Sequence, residues 1–93
     1  MVVGVCELEI HIPGSSSLKE KRFVLRSLKD RLRRRFNVAV SESAYQDRWQ
    51  RATLCVVTVS NDAAVVHSVL SHAQRLVQSE PRLELLDVRV ELR

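Results

Sequence analysis

Glycine and proline are scarce, two of each in 93 residues, which excludes collagen-like and low-complexity chains. Cysteine is equally rare. Cys6 and Cys55 are too few and too far apart for a disulfide scaffold or a zinc site, and they are expected as packed thiols in a reducing compartment. The aromatics are only Phe23, Phe36, Tyr45 and Trp49. The longest apolar runs, Leu54 to Val57 and Ala63 to Val66, fall far short of the roughly 20 residues that a membrane span needs. The first residues lack a basic stretch before an apolar run, and Glu7 and Glu9 interrupt them, so no signal peptide is expected and the cytoplasm is the default location. What remains is an ordinary globular composition, 45% hydrophobic and 28% charged, of a length that builds one core. A single domain over residues 1–93 is expected.

Basic side chains are what the chain has in excess. Fifteen Lys and Arg stand against eleven Asp and Glu, twelve of the fifteen are Arg, and the formal net charge is +4. The planar fork of Arg suits phosphate oxygens. Nine of these cations lie between Lys19 and Arg35, a segment whose acids are Glu20 and Asp30 alone. The bland reading of such a cluster is a solvated helix face that favours solubility.

Along the chain, Cys6, Leu8, Ile10 and Ile12 alternate with Glu7, Glu9 and His11, the pattern of a half-buried strand. Pro13, Gly14 and three serines then break it, and Ser17 with Glu20 three residues on has capping-box spacing for a helix that starts near Leu18 and runs to about Phe36. On a helical wheel Leu18, Leu25, Leu28, Leu32 and Phe36 share one arc of roughly 80°, flanked by Val24. Lys19, Arg22, Arg26, Lys29 and Arg33 fill an adjoining arc that holds no acid. Lys21 falls among the leucines and Arg35 beside Val24, so both are expected to lay their stems along the core edge and reach water. Phe23 points away from the leucines, as an isolated exposed aromatic.

Asn37 suits the left-handed residue that closes such a helix. Val38 and Val40 mark a short second strand, and Ala44 to Gln50 a polar, aromatic connection. The charge-free run from Ala52 to Ser60 is β-branched, as in an interior strand covered on both faces or nearly so. Ser60, Asn61 and Asp62 offer caps for a second helix that buries Val65, Val66, Val69, Leu70, Ala73, Leu76 and Val77 and stops before Pro81. Leu86, Val88, Val90 and Leu92 alternate with charged residues as the last strand. The order βαββαβ predicts an α+β, ferredoxin-like fold: a four-stranded antiparallel sheet with two helices on one face. With the first and last strands as neighbours, Glu7 and Glu9 are expected to pair with Arg89 and Arg93.

Four stretches together, SLKEKR at Ser17–Arg22, VLRSLKDRLRRRFNVAVSE at Val24–Glu42, QDRWQRA at Gln46–Ala52 and VSND at Val59–Asp62, resemble the YlxP-like family of small bacterial proteins of unknown function. The likeness spans nearly the whole chain and implies a ferredoxin-like βαββαβ fold. Genes of that family often neighbour those of the GTPase initiation factor and a ribosome-binding factor, which implies an RNA or ribosome role by association. It supplies no catalytic residues.

An RNA-recognition motif stacks bases on aromatics of its two central strands, and neither VVGVCELEI nor ATLCVVTV contains one. RNA is therefore expected on Lys19, Arg22, Arg26, Lys29, Arg33 and Arg34, with Tyr45 and Trp49 offered for stacking. The alternative for Tyr45 and Trp49 is cover for the core edge or a subunit contact. Catalysis finds no constellation: His67 and His72 are five apart, on different helix faces, there is no glycine-rich phosphate loop, and PGSSS lacks the glycine spacing of an acylphosphatase cradle. Glu42, Asp47 and Asp62 would form an acid cluster only if their loops converged. No metal, cofactor or enzymatic activity is expected. A second class of function is a homo-oligomeric interaction module, built on the apolar open face that Val57 and Val59 give the third strand.

Overall fold

The segments Val2–His11 (β1), Leu18–Arg35 (α1), Ala39–Ala44 (β2), Arg51–Ser60 (β3), Ala63–Gln78 (α2) and Glu84–Leu92 (β4) build one antiparallel sheet of order β2-β3-β1-β4. This computed structural model describes residues 1–93. The fold is the expected ferredoxin-like α+β arrangement. Its core is the inner face of the two central strands (Cys6, Leu8, Ile10, Leu54 and Val56) closed by Leu25, Leu28 and Leu32 of α1 and Val66, Leu70, Ala73 and Val77 of α2. Burying these side chains supplies most of the stabilisation, at about 25 cal/mol per Å².

Both helix starts follow from their caps. Ser17 Oγ accepts the Glu20 N–H at 3.1 Å, and Asp62 Oδ1 accepts the Ala64 N–H at 2.9 Å. The Glu20 carboxylate closes its half of the box one residue early, on the N–H and hydroxyl of Ser16, and these bonds lower its pKa. At the other end of α1 the expectation for Asn37 fails. Phe36 closes the helix in extended backbone, and the Asn37 carbonyl accepts the Thr58 hydroxyl at 2.9 Å instead. The left-handed residue is Tyr45, with φ 63°, in the β2–β3 turn.

Three strand expectations also change. β2 begins one residue after Val38 and extends to Ala44, with a bulge between Glu42 and Ala44. β4 carries a bulge at Leu86 that reverses its alternation, so Leu85 packs against the core and Leu86 is 49% exposed. β3 is fully covered on its inner face, where Ala52, Leu54 and Val56 are buried, and only in part on the open face, where Thr53 is buried, Val57 is half-buried and Val59 is 49% exposed. Glu7 does sit opposite Arg89, but the charges pair otherwise. Glu9 takes the Arg51 guanidinium and the Thr53 hydroxyl, Arg89 contacts Asp87 and Arg93 contacts Glu91. On α2, Val65 is exposed although Val66 beside it is fully buried.

Gly4 lets α2 approach β1. A Cβ built there would collide with Val66 Cγ1 and lie 2.8 Å from Leu70 Cδ1. Cys6 and Cys55 stand on adjacent strands but on opposite faces, because Glu7 rather than Cys6 is the register partner of Cys55. Burial pushes the Cys6 thiol up to about 11 and raises that of Cys55 as well, which disfavours the reactive thiolate.

Candidate polyanion-binding groove

Helix α1 lies along β2, the edge strand, and its basic arc meets that strand across a shallow groove of about 260 Å³ lined by Arg22, Leu25, Arg26, Lys29 and Glu42. Spacings of three and four residues bring Arg22, Arg26 and Lys29 to one flank of the helix. The side chains of Lys19, Arg22, Arg26 and Lys29 make no ion pair or hydrogen bond within the molecule. Arg33 is different. Its Nη2 donates to the Val40 carbonyl at 2.9 Å and its Nη1 lies 3.8 Å from Asp30, so it ties α1 to β2 while remaining half-exposed. Arg34 is exposed and leans on the Asp30 carbonyl at 3.4 Å.

The groove is held in place by Lys21, which contradicts the expectation that this side chain reaches water. It is 1% exposed, and its Nζ donates to the carbonyls of Tyr45 at 2.6 Å and Arg51 at 3.1 Å and lies 2.8 Å from Glu42 Oε2. A buried ammonium survives only when its donors are matched. Here two carbonyls and a carboxylate match them, and the β2–β3 turn is clamped to α1. The sequence holds the signal for this pair. Lys21 shares the leucine arc of α1, and Glu42 shares the inward parity of Val40 on β2, so two opposite charges are both directed inward.

Tyr45 and Trp49 do not line the groove. They sit in the β2–β3 turn, joined to it through the Lys21 clamp. Tyr45 is bent into the left-handed region, offers its carbonyl to Lys21 and carries the Arg51 guanidinium 5.0 Å over its ring, so its face is already occupied by a cation. Trp49, 55% exposed, borders a separate depression with His11, Arg48, Gln50 and Arg51. The expected residues thus form no single patch: Arg22, Arg26 and Lys29 line the groove, Lys19, Arg33 and Arg34 lie elsewhere on α1, and Tyr45 and Trp49 sit in the turn. Phe23 stands isolated and 71% exposed.

The acidic residues do not converge. Glu42 is held by Lys21, Asp62 caps α2 and Asp47 is exposed in its turn. No group of three His, Cys, Asp or Glu side chains is placed to hold a metal. One further charge cluster escaped the sequence reading. Glu80, just after α2 and 4% exposed, accepts from Arg31 of α1 at 2.8 Å and from Arg82 at 2.7 and 2.9 Å. These bonds, led by that from Arg82, hold its carboxyl at about 2. No helix is long and apolar enough to cross a membrane.

Residues 3–90 match a family described as protein of unknown function (DUF503). A relative in Bacillus subtilis (strain 168), the uncharacterized protein YlxP, is 36% identical over 90 residues, which cover 97% of this chain and 98% of the relative. With the family match spanning nearly all of the fold and the relative aligning end to end, the chain belongs to the DUF503, YlxP-like family.

Proposed function

We propose that the protein is a non-enzymatic, cytoplasmic RNA- or ribosome-associated factor whose α1–β2 groove takes the phosphate backbone. The observation that carries this reading is the set of cations Arg22, Arg26 and Lys29, which face one groove without a carboxylate of their own. Glu42, the acid in that groove, is engaged by Lys21. Free guanidinium and ammonium groups gathered on a rigid helix are the usual means of neutralising phosphates. Lys19 and Arg34 extend the positive field along the helix, and Trp49 offers a stacking surface at the adjoining turn.

Co-sedimentation with Bacillus subtilis ribosomal subunits and binding of a labelled single-stranded RNA test this directly. Changing Arg22, Arg26 and Lys29 together to Glu is expected to abolish both, with the thermal midpoint nearly unchanged because none of the three holds the fold together. Affinity should fall with salt at a log–log slope of about 2, from roughly 0.7 per neutralised phosphate over three phosphates. An unaltered pellet fraction for the triple variant, or affinity insensitive to salt, overturns the proposal.

A further inference from the structure

The sheet has a second free edge, β4, and its residues suit a partner of one kind. Val3 and Arg93 exchange both main-chain hydrogen bonds, at 2.8 and 2.9 Å. In an antiparallel ladder such pairs alternate with pairs that face away. Asp87, Arg89 and Glu91 therefore bond inward to β1, while Val88, Val90 and Leu92 present their N–H and C=O groups to the open edge. The Val88 N–H shows the result: its partner is the adjacent Asp87 carboxylate, at 2.9 Å. Along this edge the apolar side chains are also left uncovered, Val90 at 48% and Leu92 at 37% exposure.

Pairing β4 with a second β4 about a two-fold axis through Val90 matches every position. Val90 meets Val90 of the other copy and Val88 meets Leu92, all with outward-directed main-chain groups. The intervening positions on the open face put Arg89 opposite Glu91 and Asp87 opposite Arg93. Each charge meets its opposite and each apolar residue an apolar one. An axis at Val88 sets Glu91 against Leu85, and an axis at Leu92 pairs only residues 91–93, so the Val90 register gives the longest complementary overlap. We infer that the protein forms a homodimer by antiparallel β4–β4 pairing centred on Val90, giving one continuous sheet through both copies. On pairing, the Asp87 carboxylate leaves the Val88 N–H, which bonds to the Leu92 carbonyl of the other copy, and turns to the other copy's Arg93. The polar, mixed-sign face and unsatisfied edge suit a second copy better than a polyanion, which Asp87 and Glu91 would repel.

Sedimentation equilibrium of the full chain, without RNA, reads the dimer. Arg89→Glu sets like charges opposite one another twice across the two-fold and is expected to weaken dimerisation by roughly tenfold or more. The double exchange of Arg89→Glu with Glu91→Arg is expected to recover it, since complementarity returns in this register alone. Val90→Cys in a Cys6→Ala background, which removes the thiol that faces position 90 on β1, should oxidise to a covalent dimer on a non-reducing gel, because a directly bonded antiparallel pair holds its Cα atoms about 5.5 Å apart, within disulfide reach. The same substitution at Val59 should not. A wild-type monomer at high concentration overturns the inference. So does a dimer indifferent to the charge exchange but broken by Val57→Asp, which would place the contact on the open sheet face.

Discussion

Lys21 illustrates how a charged residue acts as a structural one. Truncation to Ala would leave Glu42 and two carbonyls facing an emptied site, and a loss of about 3–5 kcal/mol is expected, the scale for breaking a buried pair from one side. The double variant Lys21→Met with Glu42→Leu should recover only part of it, because apolar replacement removes the stranded charge but leaves the Tyr45 and Arg51 carbonyls without their donor. Urea denaturation of the double-mutant cycle measures this. Glu80 predicts a pH dependence. Its folded pKa, about 2, lies below the ordinary 4.5, so its contribution is full above the unfolded value and disappears as pH falls from about 5 through 2. Glu80→Gln should lower stability at neutral pH by on the order of 2 kcal/mol and flatten the stability profile across that acid range. Ser17 and Asp62 were legible as caps because their spacing is local. Glu80 was not, since its two arginines reach it from α1 and from the loop beyond Pro81.

At the scale of elements, periodicity identified all four strands and both helices, together with the inner faces of β1 and α1. What it missed were departures from period. The Leu86 bulge reverses the outward and inward sets of β4 midway, and strict alternation cannot reveal an inserted residue. Val65 belongs to the expected buried set, yet it is exposed while Val66, one residue on in the same first turn, is fully buried. Gly4 gives the corresponding prediction. Gly4→Ala drives a methyl into Val66 and Leu70 and should destabilise by about 1–3 kcal/mol, an overpacking cost. Gly14→Ala, with open space around its new Cβ, should be close to neutral. Urea midpoints at unchanged slope distinguish the two.

For the whole molecule, the net positive charge and its concentration on one helix were visible in the composition. The division of the expected contact residues was not. Six cations and two aromatics read as one surface when only the wheel is known, but the left-handed turn at Tyr45 and the Lys21 clamp set the aromatics aside and place Arg51 over one ring. The unmet cations Arg22, Arg26 and Lys29 predict that charge reversal affects RNA or ribosome binding far more than folding, which a melting curve run beside the pelleting assay resolves.

The strand order places β2 at one margin of the sheet and β4 at the other, with two strands between them. Perturbations at the two margins share no side-chain partner and should therefore combine additively. A chain altered at Arg26 and at Val90 together would show the sum of two separate defects, with a coupling free energy near zero. On the two proposed readings, the margins can be titrated separately on a common scaffold.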